Sequence, residues 1–389
     1  MTSKAFNGNY IYLNNSATSF PKPQEVINAV KRNLEELPFH HARTGFGHEC
    51  ADVFMECRKL LASLFNVQNP SRIVFSSGST ASLNLAIMGL DLKDKHVVTT
   101  AIEHNSVLRP LKTLERDGII KLSIADCDQT GYVSAENIKN CINKDTTAVI
   151  VNHCSNVTGA VNCLEEIGEI TKAKNITFIV DASQSAGIIP IDVESMKIDI
   201  LAFTGHKSLY GIQGIGGAYI RETVALKPLI VGGTGVRSDY LFQPEIVPMY
   251  FEAGTQNTPG IVSLYEGVKY VLEKSTAKIH QHVVTCCNRM KEELCNNTQL
   301  ILYPANNKCI DSTIFSFNII GMEPNDIGYI MENSFGIIVR AGLHCAPLIH
   351  KQLGTFPDGS VRVSPSSFTT DKEIDSFLFA IREICAVCE

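Results

Sequence analysis

The chain has 389 residues, of which 44% are hydrophobic and 19% are charged, and its formal net charge is −6 at pH 7. This length predicts two or three domains, or one large and one small, with enough apolar residues for a substantial core. A net negative charge without a basic patch argues against nucleic acid as a partner.

The first residues lack the apolar stretch of a secretory signal, and no later run is long and apolar enough to cross a bilayer. We therefore expect a cytoplasmic protein without a membrane partner. The 13 cysteines are an odd number scattered through a long chain. This distribution is typical of reduced thiols rather than of a disulfide framework.

Six β-branched runs alternate with helical patterns along the first 220 residues. They cover residues 71–75, 96–100, 148–152, 177–180, 199–203 and 216–220. Alternation of such strands with helices predicts an α/β fold built on a mostly parallel, doubly wound sheet. Ligand-binding residues of such sheets cluster in the loops just after the carboxyl ends of the strands.

The pattern changes from about residue 254 onward. It predicts a long helix over residues 261–295, short strands near 312–317 and 336–340, and a final amphipathic helix capped at Thr370 or Asp371. We expect a large domain of residues 14–258. A smaller α+β domain is expected from residues 259–389 together with residues 1–13.

A lysine and an aspartate each follow one of the predicted strands. Lys207 and Asp181 are therefore expected at the same edge of the sheet. A lysine amine can form a Schiff base with the aldehyde of pyridoxal 5'-phosphate (PLP), and an aspartate can keep the pyridine nitrogen protonated. The pair predicts a PLP site.

Other loops after strands carry side chains suited to the same cofactor. Ser79 and Thr80 open a helix, where backbone N–H groups stabilise a phosphate. His104 follows another strand, so its flat imidazole could stack on the pyridine ring. Gln184 could reach the phenolic oxygen. Each has an ordinary explanation as a helix cap or loop residue, and the cofactor interpretation depends on the lysine and aspartate.

The segments EHNSV, DASQSAG, FTGHKSLYG, GTQNTPG and RAGLHCAPLIH resemble those of the cysteine desulfurases. These enzymes belong to the class V aminotransferase family of fold type I PLP enzymes. The resemblance runs from about residue 12 to residue 379, with several motifs in the same order. It implies a fold type I PLP-dependent transferase.

The resemblance also implies a role for each cofactor residue. Lys207 would carry the Schiff base, Asp181 would pair with the pyridine nitrogen, His104 would stack on the ring and Gln184 would contact the phenolic oxygen. The residues implied at the phosphate are Ser79, Thr80, Thr204, His206 and, reaching across from the partner subunit, Thr255. The active site would thus belong to a homodimer.

The cofactor residues do not indicate which reaction takes place, because transamination, racemisation, decarboxylation and elimination all use them. Cys345 indicates a reaction at sulfur, because a thiolate is suited to attack a sulfur atom. Its neighbours Arg340 and His344 could favour the thiolate by charge. The resemblance implies that Lys207 moves the Cα proton of L-cysteine and that Cys345 takes the sulfur as a persulfide, leaving L-alanine.

Three residues are predicted to bind the substrate. Arg362 matches the family arginine that binds the substrate carboxylate, a task suited to a guanidinium. Asn156 would assist near the same carboxylate and the ring oxygen, and Arg340 would contribute from the loop of Cys345. The stretch between the two arginines is short. It resembles desulfurases with an ordered cysteine loop that pass sulfur to a dedicated acceptor protein.

Alternatives to cysteine desulfuration stay open. The same groups would serve L-selenocysteine, and an aminotransferase or another PLP lyase would not need Cys345. A non-catalytic sulfur-relay or binding protein is a further alternative, although an intact Lys207 argues against it.

The resemblance weakens in two places near the amino terminus. Asn14 and Ser16 stand where the family usually has Asp and Ala, which could alter substrate preference, and residues 40–48 match only loosely. No metal site is predicted. Cys385 with Cys388, and the histidines and cysteines of residues 280–287, lack a second pair at zinc-site spacing.

Overall fold

The computed structural model describes residues 10–36, 52–303 and 310–387. The strands in these ranges are β1 (Ile11–Tyr12), β2 (Ile73–Ser76), β3 (Lys95–Thr100), β4 (Ile120–Ala125), β5 (Thr146–Asn152), β6 (Thr177–Asp181), β7 (Ile200–Thr204), β8 (Gly216–Ile220), β9 (Leu300–Tyr303), β10 (Phe315–Ile319), β11 (Ile337–Ile338), β12 (Arg340–Gly342) and β13 (Ser360–Val363). The helices are α1 (Gln24–Glu35), α2 (Val53–Phe65), α3 (Ser79–Met88), α4 (Asn105–Arg116), α5 (Ala135–Cys141), α6 (Leu164–Ala173), α7 (Thr258–Lys274), α8 (Thr276–Leu294), α9 (Pro324–Phe335), α10 (Pro347–Gln352) and α11 (Asp371–Val387).

The main sheet has seven strands in the order β2-β8-β7-β6-β5-β3-β4. The strands from β7 to β4 are parallel, and β8 runs antiparallel to both of its neighbours. This confirms the predicted α/β fold with a mostly parallel sheet. All six predicted strands are present. Strand β4 was not predicted from the sequence.

Helices cover both faces of this sheet, which explains why its central strands are apolar on both sides. Along β5, Val149 and Val151 pack into a core shared with α2, α6 and α7, whereas Ile150 packs into a second core shared with α3 and α4. Successive side chains of a strand point to opposite faces. The strand carboxyl ends are left free to carry polar residues.

The carboxyl-terminal part is built on a four-stranded sheet in the order β12-β13-β10-β9, with antiparallel neighbours. Strand β1 pairs with β11 in parallel, so the amino-terminal residues join this part of the molecule. The domain boundaries stay a prediction. Helix α7 places Ile261 and Leu264 in the core of the main sheet.

The predicted single helix over residues 261–295 is wrong, because two helices occupy this range. Ser275 separates them with a φ of +70°, a conformation that cannot continue a right-handed helix. The predicted start of the last helix is confirmed. The backbone N–H of Thr370 donates to Glu373 at 2.7 Å and the N–H of Glu373 donates back to the Thr370 hydroxyl at 3.4 Å, which is a capping box.

None of the helices in the described ranges is both long enough and apolar enough to cross a membrane. Nine of the described cysteines are free thiols, whereas Cys163 is disulfide-bonded, so the expectation of reduced thiols fails at that residue. Residues 40–48 and Cys388 lie outside the described residues.

Candidate active site

A cavity of about 330 Å³ lies at the carboxyl edge of the main sheet. Residues at or just after the ends of five of its strands, together with residues of the carboxyl-terminal sheet, line it. The sequence-predicted site residues that it brings together are Ser79, Thr80, His104, Asn156, Asp181, Gln184, Thr204, His206, Lys207, Arg340, Cys345 and Arg362. Their individual roles stay predictions.

Asp181, the last residue of β6, and Lys207, three residues after the end of β7, both line this cavity. Burial lowers the pKa of Lys207 to about 8, against the opposing charge of Asp181 and with a further lowering by Arg362 and Arg340. The Asp181 carboxylate is buried and accepts hydrogen bonds from the Ser183 backbone N–H, at 2.9 Å, and from the Ser183 hydroxyl. An amine that is easily deprotonated therefore lies near a fixed negative charge.

The predicted phosphate turn follows β2 and leads into α3. Helix α3 begins at Ser79, directly after Gly78, whose φ is +146°. The first backbone N–H groups of a helix and its dipole favour an anion at this point. Thr204, at the end of β7, and His206, in the loop that follows β7, line the same cavity. The pKa of the His206 imidazole is lowered to about 4, first by burial and then by the charges of Lys207 and Lys22.

His104 caps helix α4 as well as lining the cavity. Its Nδ1 accepts the backbone N–H of Ser106 at 3.0 Å, which places the proton of the neutral ring on Nε2. Burial, the largest influence, lowers its pKa. Gln184 is held in place by a hydrogen bond from Nε2 to the Ser16 carbonyl oxygen at 3.1 Å.

Arg362 is a fully buried cation whose hydrogen-bond partners among the described residues are neutral. Nη1 donates to the Asn156 carbonyl oxygen at 2.9 Å and Nη2 donates to Asn14 Oδ1 at 3.2 Å, while Nε has no partner within the described residues. Burial lowers its pKa to about 9. A buried guanidinium without a carboxylate is suited to bind one from a ligand.

Cys345 is exposed at the cavity and lies in a constrained loop. His344 and Cys345 have φ values of +49° and +60°, which is an unfavourable conformation for residues with a Cβ. Their carbonyl oxygens are held by Asn156 Nδ2, at 2.6 Å, and by the Asn105 backbone N–H, at 2.8 Å. Arg340 Nη2 lies 4.0 Å from Cys345 Sγ. The short loop is therefore ordered by defined contacts.

The predicted charge assistance from His344 is wrong. This imidazole is buried, and burial followed by the charges of Arg362, His350 and Arg340 lowers its pKa well below the ordinary value. The ring is neutral at physiological pH, and its Nε2–H donates a hydrogen bond to the Ser360 carbonyl oxygen at 3.0 Å. Of the two predicted neighbours, Arg340 is therefore the one that keeps a positive charge beside the Cys345 sulfur.

Thr255 does not line this cavity. It is exposed, and it borders a neighbouring apolar cavity of about 540 Å³ that shares Thr80 and Gly214 with the first one. Within its own chain, Thr255 therefore lies beside the phosphate turn but outside the site.

Sequence reasoning missed two residues that support the site. Glu103 is buried beneath it and accepts hydrogen bonds from the Asn152 backbone N–H, at 2.8 Å, and from the Thr100 hydroxyl, at 2.6 Å. Burial raises its pKa to about 8. Ser183 orients Asp181. Glu103 is next to the predicted residue His104, and Ser183 is next to the predicted residue Gln184. Their positions after strands β3 and β6 could therefore have indicated that they belong to the site.

The cavity also fits the cofactor predicted from the sequence. Several of its lining residues carry buried polar atoms without a hydrogen-bond partner in the described ranges, namely Asn152 Oδ1, Asn156 Oδ1, His206 Nδ1, His344 Nδ1 and Arg362 Nε. Such atoms are unfavourable unless a ligand or water satisfies them. A lysine amine, a buried carboxylate and a helix amino terminus correspond to the aldehyde, ring nitrogen and phosphate of PLP.

The chain belongs to the class V aminotransferase family, whose model matches residues 11–377. It is 31% identical over 384 residues to a protein of Pyrococcus abyssi named "Probable cysteine desulfurase", covering 96% of this chain and 94% of the other. A protein of the same name from Borreliella burgdorferi is 30% identical, covering 98% and 93% of the two chains. The solved apo structure of a cysteine desulfurase from Thermococcus onnurineus superposes with a TM-score of 0.89 at 31% identity, covering 97% of this chain and 95% of the other.

Proposed function

We propose that this chain is a PLP-dependent cysteine desulfurase that converts L-cysteine to L-alanine and retains the sulfur as a persulfide on Cys345. The observation that carries the proposal is that one cavity holds Lys207, the buried guanidinium of Arg362 and the exposed thiol of Cys345. The relatives named cysteine desulfurases support it.

The cofactor would be held by the residues that line the phosphate turn and the strand ends. Ser79, Thr80, Thr204 and His206 line the cavity and would hold the phosphate, and Asp181, which lines the same cavity, would pair with the ring nitrogen. When bound, PLP supplies an aldehyde for the substrate amine and a ring that takes up the electrons of the Cα–H bond. His104, neutral and fixed by its helix cap, offers a flat surface for that ring.

The chain's own residues would carry the substrate through the reaction. Arg362 holds the α-carboxylate, and Lys207 Nζ, whose pKa is lowered to about 8, accepts the Cα proton and delivers a proton back. The Cys345 thiolate attacks the substrate sulfur, so that an S–S bond forms as the C–S bond breaks. The electron pair of the broken bond stays on the substrate carbon. After protonation, that carbon becomes the methyl group of L-alanine.

The geometry of Cys345 favours transfer to sulfur rather than a transamination. A transaminase has no use for a thiol at this point, whereas the carbonyl oxygens of His344 and Cys345 are both anchored and Arg340 lies beside the sulfur. Because Cys345 is exposed, its persulfide is open to an acceptor protein. L-selenocysteine would meet the same groups, and only the relative rates on the two substrates separate these activities.

We also propose that the enzyme acts as a homodimer. The segment before Thr255 exposes large apolar side chains, including Leu241 at 95% and Phe242 at 73% exposure. Exposed apolar clusters of this kind are typical of protein interfaces. A second copy over this surface would bring its Thr255 toward the phosphate turn. Sedimentation analysis of the parent and of Phe242→Asp tests this, and a monomeric parent with full activity would contradict it.

The decisive experiment incubates the purified protein with L-cysteine and a reductant and measures L-alanine and sulfide. Cys345→Ala is expected to lose both products, and Lys207→Ala is expected to lose the absorbance of lysine-bound PLP as well. Cys295→Ala is the matched control, because Cys295 is also a free, exposed thiol. Normal turnover by Cys345→Ala would refute the desulfurase mechanism.

A further inference from the structure

The carbonyl oxygen of His206 is held by four donors from the amino-terminal segment. The Ser19 backbone N–H and the Lys22 ammonium each donate to it at 3.0 Å, and the hydroxyl groups of Thr18 and Ser19 donate at 3.1 and 3.2 Å. This oxygen belongs to the peptide that precedes Lys207. Residues 18–22 therefore fix the main chain of the loop that carries two of the predicted cofactor residues.

Lys22 brings a positive charge to this contact without a carboxylate beside it. Its other acceptor is the neutral Ser19 hydroxyl, at 2.7 Å, and the ion pairs among the described residues include none with Lys22. Burial lowers the pKa of Lys22 to about 8, so the amine is mostly charged at pH 7. A half-buried cation without an ionic partner is suited to an anion supplied by a ligand.

The residues predicted at the phosphate carry no full positive charge of their own. The serine and the threonines among them are neutral, and the His206 imidazole is neutral because burial, followed by the charges of Lys207 and Lys22, lowers its pKa to about 4. His206 Nδ1 is buried without a partner in the described ranges, and the residue lines the cavity. The charge of Lys22 thus acts on a side chain that borders the predicted phosphate position.

We propose that Lys22 is a positioning residue of the phosphate site, where it holds the His206 carbonyl oxygen and supplies the positive charge that stabilises a bound phosphate. This inference rests on the proposed function, because PLP is the ligand whose phosphate would meet this charge. Thr18 and Ser19 hold the same carbonyl oxygen. The distinct contribution of Lys22 is therefore its charge.

The test compares PLP with pyridoxal, which has the same ring and aldehyde but no phosphate. Each is titrated at pH 7 into the cofactor-free full chain, and Schiff-base absorbance reports binding. Lys22→Met is expected to weaken PLP binding by about fivefold, or about 1 kcal/mol, and to leave pyridoxal binding within about twofold of the parent. Lys22→Arg keeps the charge and should retain the parent's ratio of the two affinities.

Two further variants serve as matched controls. Lys31→Met removes an exposed lysine of helix α1 and should bind both ligands as the parent does. Thr18→Val removes a neutral donor from the His206 carbonyl oxygen, so any loss should be equal for PLP and pyridoxal. The inference is overturned if Lys22→Met binds PLP as the parent does, if it loses both ligands equally, or if Thr18→Val loses PLP alone.

A second measurement needs no cofactor and follows the His206 imidazole by NMR in the cofactor-free protein. Lys22→Met should raise the pKa of His206, because a nearby positive charge no longer opposes protonation. Lys31→Met should leave this pKa unchanged. An equal pKa in the parent and Lys22→Met would show that the charge of Lys22 does not reach the site.

The same preparations separate this inference from the proposed function. If the parent forms no lysine-bound PLP, or releases no L-alanine and sulfide from L-cysteine, the proposed function is wrong. If the parent does both while Lys22→Met keeps the parent's ratio of PLP to pyridoxal affinity, only the role of Lys22 is wrong.

Discussion

Arg58 and Glu252 form a buried ion pair that joins helix α2 to the segment before Thr255. Arg58 Nη2 lies 2.7 Å from Glu252 Oε2, and the two side chains are only 6% and 5% exposed. Glu252 Oε1 also accepts the backbone N–H of Phe75 at 2.6 Å, and Arg58 Nε donates to the Ile73 carbonyl oxygen at 3.0 Å. The pair therefore ties strand β2, which leads into the phosphate turn, to the loop that carries Thr255.

Arg58→Met is expected to lower the free energy of unfolding by about 3 to 5 kcal/mol, because it leaves the Glu252 carboxylate buried without its cation. The arginine also lies over the Phe75 ring, 4.3 Å from the ring centroid, and methionine keeps part of that packing. The loss should thus come mainly from the unpaired charge. Urea unfolding of the parent and the variant, with the cofactor at the same saturating concentration, measures the difference.

Lys59→Met is a matched control from the next position in the same helix. Lys59 pairs with Glu56 at 2.7 Å, but these side chains are 56% and 46% exposed, and such pairs contribute less than about 1 kcal/mol. The double variant Arg58→Met/Glu252→Met should be less destabilised than the sum of its single variants, because no charge is left unpaired. Equal losses in Arg58→Met and Lys59→Met would refute the reasoning.

Three further predictions concern the site itself. Burial lowers the pKa of Lys207 to about 8, below the 10.5 of an exposed lysine. Between pH 8 and pH 10.5 the cofactor-free folded protein therefore binds fewer protons than the unfolded chain, and its stability rises with pH over this range. Cofactor-free Lys207→Met should therefore be more stable than the parent below pH 8, with an advantage that disappears by about pH 10.5; a difference independent of pH in thermal unfolding would contradict this. Gly216→Ala would place a Cβ 2.7 Å from Gly78 Cα, displace the phosphate turn and weaken PLP binding by about tenfold or more in an absorbance titration. Gly233→Ala, whose Cβ would meet nothing within 4 Å, should bind PLP as the parent does. Arg340→Gln removes the cation 4.0 Å from Cys345 Sγ and should slow alkylation of that thiol by iodoacetamide by about fivefold. This factor corresponds to the interaction energy of about 1 kcal/mol between two unit charges at this distance in water. An unchanged rate would show that Arg340 does not act on the sulfur.

Much of the site could be predicted from the chain because its residues are tied to strand ends. Asp181 and Thr204 are the last residues of their strands, and Lys207 follows one closely. The β-branched composition of these strands is evident from neighbouring residues, and parallel strands bring their carboxyl ends to one edge. The capping box at Thr370 is likewise a local pattern, since both partners lie within one turn of a helix. The break at Ser275 was missed because the flanking residues are good helix formers and only the backbone conformation ends the helix.

The sequence by itself determined the α/β fold and the set of chemical groups at the carboxyl edge of the sheet, because strand periodicity and strand ends are encoded by neighbouring residues. Only the tertiary structure decided the charge state of those groups and their hydrogen-bond partners. His344 is neutral because distant segments bury it, and Arg362 meets an amide, from Asn14, that lies more than 300 residues away along the chain. Burial and long-range contacts set pKa values and ion pairing, and neither property can be inferred from local sequence.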